Sequence, residues 1–281
     1  MNDDHINSPL AELTLGKKTD YCSDYSPELL QSVPRSLNRK ELNIVDHQPF
    51  LGVDVWNAYE LSWLNSKGKP VVSLARFEVE AKSLNIIESK SLKLYLNSFN
   101  QTRFDSIETV QQKIIEDLSK VAGCAVKVDL FSTTQNEPFM VNQLPGQCVD
   151  ALDISVDHFE FNSTVLAVEP AGQVIEETLH SHLLKSNCLI TNQPDWASVI
   201  IRYKGVKIDQ ETLLRYLISF RMHNEFHEQC VERIFMDLLQ ACKPETLSVQ
   251  ALYTRRGGLD INPYRHSGAW GEVPDYRINR Q

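Results

Sequence analysis

No two of the six cysteines stand in C-x-x-C spacing; they fall at Cys22, Cys124, Cys148, Cys188, Cys230 and Cys242. That argues against a zinc ribbon and against a thioredoxin-type motif. The sequence opens Met-Asn-Asp-Asp, with no basic segment followed by an apolar stretch, so an export signal is not expected. Without one a disulfide framework is not expected either, and the plain reading is a cytoplasmic protein with free thiols. No apolar run approaches the ~18 residues of a membrane span, so no membrane partner is expected. Basic residues are in deficit, 28 Lys and Arg against 37 Asp and Glu, for a formal net charge of −9. A protein that coats DNA or RNA needs a basic face, so direct nucleic-acid binding is not expected; a nucleobase-sized ligand needs only a pocket. No G-x-G-x-x-G follows a predicted strand, so a nicotinamide cofactor would have to bind outside a Rossmann site.

What is present is ordinary for a globular protein: 281 residues, 42% hydrophobic and 23% charged, enough for one large domain or two halves. Residues 1–50 are polar and proline-punctuated and read as an irregular extension. Residues 51–64 and 71–80 read as strands; in the second, Ala75, Phe77 and Val79 alternate with Arg76, Glu78 and Glu80. The turn residues 66–70 between them suggest a hairpin. Helices are predicted over 90–99 and 108–121, the second with Val110, Ile114, Leu118 and Val121 on one face and Gly123 as its stop. A strand at 126–130 follows, and 132–160 reads as the connection between halves.

The second half repeats that order. Residues 164–169, 177–190 and 197–203 read as extended, 210–222 and 225–242 as helices, and 246–254 as a strand. The letters repeat as well: ESKSLKLYLNSF (88–99) lies over DQETLLRYLISF (209–220), with Leu92/Leu213, Tyr95/Tyr216, Leu96/Leu217, Ser98/Ser219 and Phe99/Phe220 identical. Duplication explains both the letters and the element order. The expected fold class is α+β: two similar units, each an antiparallel sheet backed by two helices. The borders fall at 1–50 for the extension, 51–160 for the first unit and 161–281 for the second. Residues 255–281 return to loop composition and carry arginines at 255, 256, 265, 277 and 280, a charge run that by composition alone is a solvated tail as readily as a binding element.

Four places have residues suited to chemistry. Cys188, in SNCLITNQPDW, lies at a strand end before a turn marked by Asn192 and Pro194, with Asp195 across that turn. A thiol with a proton-transfer group near it is a nucleophile candidate, although from the letters alone a buried structural cysteine is the favoured reading. His227 and Glu228 open a helix, where an imidazole could move protons and a glutamate suits the helix dipole. His180 and His182 share a strand face; with Cys188 nearby a metal site is conceivable, but two histidines on a strand are more often surface residues. Glu88-Ser89-Lys90-Ser91 opens the first helix of the repeat. There Ser89 or Ser91 could be the cap, or the carboxylate, free backbone donors and lysine could receive a guanine-like edge and a phosphate.

Several of these segments together resemble the NADPH-dependent 7-cyano-7-deazaguanine reductases of queuosine biosynthesis, in the long two-unit form. ESKSLKLYLNSF resembles their signature segment and SNCLITNQPDWASVIIRYKG their nucleophile segment. FHEQCVERIF and RRGGLDINPYR resemble later motifs; LGKKTDYCSDYSPELLQSVPRSLNR (15–39) and DVWNAYELSWL (54–64) resemble the N-terminal part. The resemblance implies a tunnelling fold of tandem α+β units, assembled through homodimers, with pockets at unit interfaces. It implies that Cys188 attacks the nitrile carbon to give a thioimide, with Asp195 and His227 managing the protons. Ile87, Glu88, Ser89, His227 and Glu228 would hold the deazaguanine, since a carboxylate is a strong acceptor for its N–H donors. Ser89, Lys90, Arg256 and Gly257 would contact NADPH, and no metal is implied. The competing readings are a cyclohydrolase-like or pterin-processing enzyme with zinc on Cys188 and the nearby histidines, and a purine- or nucleotide-binding module without turnover.

Overall fold

The computed structural model describes residues 21–44, 48–135 and 139–281, and the chain forms two compact units. Among the described residues the first comprises 21–41, 56–135 and 257–259; the second comprises 42–44, 48–55, 139–256 and 260–281. Residues 1–20 and 45–47 of the sequence-defined extension, and Pro138 of the connection, lie outside the described residues.

The first unit begins with β1 (Ser32–Pro34) and α1 (Arg35–Arg39). These lie within the stretch read as irregular, and tertiary contacts account for them: β1 pairs antiparallel with β4 (Asn85–Ile87), Arg35 Nε donates to Ser83 Oγ at 2.9 Å, and Arg39 Nη2 donates to the Ala81 carbonyl at 2.7 Å. The predicted hairpin is observed as β2 (Leu51–Leu64) and β3 (Pro70–Glu80), and β3 pairs antiparallel with β5 (Val126–Ser132). The predicted helices are α2 (Ser89–Ser98) and α3 (Ile107–Ala122). Val110, Ile114, Leu118 and Ala122 form the buried stripe of α3, and Gly123 ends it at φ +69°, a left-handed geometry that glycine adopts without penalty.

The second unit contains β6 (Gln147–Cys148), β7 (Val174–Asn187), β8 (Pro194–Val206), α4 (Gln210–Ser219), α5 (His227–Cys242), β9 (Thr246–Tyr253) and β10 (Leu259–His266). The strand order is β10-β9-β8-β7-β6, antiparallel except for the short parallel β6–β7 pair. Of the expected extended segment 164–169, the first two residues belong to a short 3-10 turn, Ser163–Val165, capped by the Asn162 side chain, while Leu166 is extended and Val168 bridges antiparallel to Ile208.

The tail read as loop holds the most buried strand among the described residues. Every residue of β10 is buried, including Asp260, Asn262, Arg265 and His266. Composition misled because these polar groups find partners in the interior, the condition for burying them. Arg265 is fully buried and meets Glu232 Oε1 at 2.9 Å and Asp54 Oδ1 at 2.8 Å; Asn262 Nδ2 donates to Asp260 Oδ1 at 2.6 Å. The remaining tail arginines are likewise engaged: Arg277 Nη1 donates to the Phe139 carbonyl and Arg280 Nη1 to that of His182, both at 2.8 Å. Beyond β10, Ile278 packs on Ile200 and Leu252.

The two units repeat one construction atom for atom. In the first, the Tyr95 hydroxyl donates to Asp117 at 2.7 Å, Ser98 Oγ donates to the Tyr95 carbonyl at 2.6 Å, and the Ser26 N–H donates to Ser98 Oγ at 3.1 Å. In the second, Tyr216 donates to Asp237 at 2.6 Å, Ser219 Oγ to the Tyr216 carbonyl at 2.7 Å, and the Asn162 N–H to Ser219 Oγ at 3.1 Å. The ring packing repeats too: Tyr25 meets Phe99, and Phe161 meets Phe220, each at 5.1 Å between centroids and 73° between planes.

Candidate active site

Cys188 follows β7 directly, in the connection 188–193 that joins β7 to β8. The Cys188 N–H donates to the Gln193 carbonyl at 2.8 Å and the Cys188 carbonyl accepts from the Asn192 N–H at 3.0 Å, so the connection closes on itself. Asn192 sits at φ +56°, a conformation its short polar side chain tolerates, and Asn224 Nδ2 donates to Asn192 Oδ1 at 3.1 Å. Lys185 Nζ anchors the base of the hairpin by donating to Asn187 Oδ1 and to the Arg221 carbonyl, both at 2.6 Å. Cys188 is partly exposed, whereas Cys230 and Cys242 are buried within α5 and burial pushes their thiols upward, Cys242 to about 11.

Asp195 is the second residue of β8 and the cross-strand partner of Ser186. Cys188 lies two residues beyond Ser186, and the Cys188–Gln193 bond continues the ladder. Strand alternation therefore places Cys188 and Asp195 on one face of the hairpin, as diagonal neighbours. Asp195 is only 3% exposed. Its Oδ2 lies 3.2 Å from His227 Nε2, and its Oδ1 accepts from Arg256 Nη1, whose other nitrogen reaches the Gln193 side chain. Burial raises the carboxyl, but the His227 hydrogen bond and charge and the Arg256 guanidinium outweigh it, so Asp195 titrates below its ordinary range and is anionic at neutral pH.

His227 owes its position to the first turn of α5 and to Tyr253 of β9, on which its ring stacks at 3.8 Å and 20°. Glu228 follows it, 4% exposed. The second unit thus gathers Cys188, Asp195, His227 and Arg256 around one hairpin end. Arg256, read from sequence as a phosphate contact, is engaged with Asp195 and Gln193. Sequence reasoning missed Gln193, Lys185, Asn224 and Tyr253; polar residues placed at the end of an apolar strand, as in LLKSN, were the available signal.

In the first unit Ile87 is buried at the end of β4, opposite Ser32. Glu88 is itself the N-cap of α2: one carboxylate oxygen accepts from the Lys90 N–H and the other from the Ser91 N–H, each at 2.7 Å. Both readings of this segment are corrected, the serine cap and the carboxylate beside free backbone donors: the longer glutamate side chain folds back and takes the Lys90 and Ser91 donors, while Ser91 Oγ donates to the Glu88 carbonyl at 2.7 Å. Burial pushes the Glu88 carboxyl above its ordinary value, against those bonds and the charges of Lys93 and Lys90. Gly257 (φ +57°) comes so close to Lys93 that a Cβ there would meet its side chain at 3.0 Å. A cavity of about 280 Å³ lies beside it, lined among others by Glu60, Lys93, Asn97 and Gly258.

The two histidines do not join Cys188. Among the described residues His180 and His182 cluster with Cys148, which removes the ligand set on which the zinc-on-Cys188 reading depended. No helix among the described residues is long and apolar enough to cross a membrane.

The α+β fold thus carries a partly exposed cysteine on the same hairpin face as a buried, ion-paired carboxylate. Residues 21–130 match the family described as nitrile reductase, 7-cyano-7-deazaguanine-reductase N-term, and residues 194–271 match the family described as QueF-like protein. The chain belongs to the 7-cyano-7-deazaguanine nitrile reductase family, with matches in both halves. Among solved structures it is similar to the archaeosine synthase QueF-Like in the apo form, at 18% identity over 37% of this chain and 100% of that one, with a TM-score of 0.30.

Proposed function

We propose that the protein reduces the nitrile of 7-cyano-7-deazaguanine to the aminomethyl group of 7-aminomethyl-7-deazaguanine, through a thioimide on Cys188 and at the expense of two NADPH. The observation that carries this reading is the anionic, buried Asp195 on the Cys188 hairpin face, held by His227 and Arg256. A nitrile accepts hydride poorly until it is made electrophilic, and covalent addition divides one hard step into easier ones. Asp195 takes the thiol proton as sulfur bonds to the nitrile carbon, then delivers it to the nitrile nitrogen, so the S–H bond breaks as C–S and N–H bonds form. After the first reduction at carbon the C–S bond breaks, returning the thiolate and leaving an imine, which the second reduction and a proton convert to the amine. His227 supplies protons through Nε2 and, with Glu228, contacts the base.

NADPH, when bound, supplies the two hydride equivalents. The residues present fit its phosphates: Lys90 and Lys93 lie on the first turns of α2, and Gly257 brings bare backbone against Lys93 where a Cβ would not fit. Ser89 and Gly257 offer backbone contacts there, and Arg256 adds charge while orienting Asp195. Ile87, Glu88 and Ser89 bind the deazaguanine edge. The repeated Tyr–Asp and Ser–carbonyl constructions support tandem tunnelling-fold units in 51–160 and 161–281, preceded by the extension 1–50. The protein works in the cytoplasm as a homodimer, in queuosine biosynthesis, without binding nucleic acid directly.

The test mixes the purified chain with the nitrile alone, then with NADPH. A mass gain equal to the substrate, mapping to Cys188 and absent from Cys188→Ala, together with two NADPH oxidised per amine formed, is the expected result. An adduct of the same mass in Cys188→Ala, or no adduct and no NADPH loss from folded protein, overturns the reading.

A further inference from the structure

Farther back along β7 from the Cys188 turn, beside the edge strand β6, three soft or borderline ligands converge. One ligand atom each of Cys148, His180 and His182 lies within 4.8 Å of the others. We infer that Cys148, His180 and His182 form a Zn2+ site that fastens the β6 segment to β7, with water in the fourth position.

The backbone carrying all three ligands is held before any metal arrives. Cys148 is the parallel cross-strand partner of His180, and the Val149 N–H donates to the His180 carbonyl at 3.0 Å. Asp150 ties the same two segments from the side, accepting from Ser181 Oγ at 2.6 Å and from the His182 N–H at 2.9 Å. β7 is irregular between Ser181 and Leu184, and this break in the ladder sits at His182. Such irregularities re-aim side chains.

The outer contacts of the two imidazoles suit ligation. His180 Nδ1 lies 2.9 Å from the Pro145 carbonyl. A carbonyl only accepts, so in the neutral ring Nδ1 carries the hydrogen and the lone pair is on Nε2, the state in which a histidine binds metal. His182 Nδ1 is 2.7 Å from Ser198 Oγ, a hydroxyl that can accept from Nδ1–H and so accommodates the tautomer with its lone pair on Nε2. The rings meet edge to face at 5.4 Å between centroids. A tetrahedral Zn2+ with bonds of about 2.0 Å to nitrogen and about 2.3 Å to sulfur holds its ligand atoms roughly 3.3–3.6 Å apart. The exposed Cys148 side chain closes that difference by rotating about its own bonds, and its exposure supplies the entry path. Arg280 donates to the His182 carbonyl, while the Asp150 carboxylate accepts from the His182 N–H. One thiolate with two imidazoles selects Zn2+ over hard cations such as Mg2+ and Ca2+, which take oxygen. Binding replaces the Cys148 S–H bond by S–Zn and releases that proton to solvent.

The site is independent of the nitrile chemistry, and so is its test. The metal-free full chain is titrated with Zn2+ against a chromophoric chelator, and iodoacetamide labelling of each cysteine is mapped by mass with and without Zn2+. The expected result is one Zn2+ per chain, with protection of Cys148 and not of Cys188. Affinity should fall at least 10–100-fold in Cys148→Ser and in His180→Gln, and Cys188→Ala should bind normally, given that even an outer-shell change costs that much. Co2+ in place of Zn2+ should give a thiolate charge-transfer band that Cys148→Ser loses. Unprotected Cys148 in the wild-type chain at saturating Zn2+, or stoichiometric binding that survives Cys148→Ser, overturns the assignment. The labelling arm needs no variant, so a misfolded mutant does not obscure the answer.

Discussion

His227 Nε2 stands 3.2 Å from Asp195 Oδ2, on the opposite carboxylate oxygen from Arg256. The carboxylate is thereby held between an imidazole and a guanidinium, one able to exchange a proton and the other not. In the proposed mechanism, replacing Asp195 by Asn keeps the shape but removes the acceptor for the Cys188 proton. Thioimide formation should slow by about 10²–10⁴-fold, the usual worth of a positioned acid–base group. Intact-mass time courses with the nitrile alone measure it. Adduct formation at the wild-type rate in folded Asp195→Asn would remove Asp195 from the chemistry.

Glu88 makes a pH-dependent contribution of the opposite sign to that of Asp195. Burial holds its folded-state carboxyl above the ordinary 4.5. A raised group favours the fold fully below its unfolded value, and that contribution is lost as pH rises through the folded value. Glu88→Gln lacks the titration. The melting-temperature gap between wild type and variant should therefore be widest near pH 4 and narrow toward neutrality. A gap that widens with pH refutes the raised carboxyl.

The repeated Tyr–Asp pairs should not be equally sensitive. Asp117 accepts from both Tyr95 and Tyr25, at 2.7 and 2.6 Å, so Tyr95→Phe leaves it a donor. Among the described residues Tyr216 is the hydroxyl that donates to Asp237, whose carboxyl is raised by burial, so Tyr216→Phe strips a half-buried acceptor of that donor. Tyr216→Phe should cost about 1–3 kcal/mol and Tyr95→Phe the lower end or less. Urea midpoints rank them, and the reverse order defeats the argument.

Arg265 is enclosed with two carboxylates and has no solvent exposure. Arg265→Leu leaves Asp54 and Glu232 buried without its charge, a loss of about 3–5 kcal/mol. Thermal unfolding checks this; a shift of the size seen for an exposed arginine would mean that the carboxylates find other partners.

Much of this molecule was legible from its letters because local periodicity and burial agree. The alternation in 71–80, the stripe of α3 and its Gly123 stop, and the repeat over Tyr95 and Tyr216 are all set by which side chains must leave water. The thiol and carboxylate of Cys188 and Asp195 were also readable, since a hairpin turn separates them by few residues. Tertiary structure alone decided the rest. It turned LDINPYRH into a fully buried strand by supplying Asp54, Glu232 and Gln281 to its polar groups. It made Glu88 its own helix cap, gave Arg256 to Asp195, and brought His180 and His182 to Cys148 instead of Cys188. The reason is the same in each case: a sequence shows which groups need partners, and residues distant along the chain determine which partners arrive.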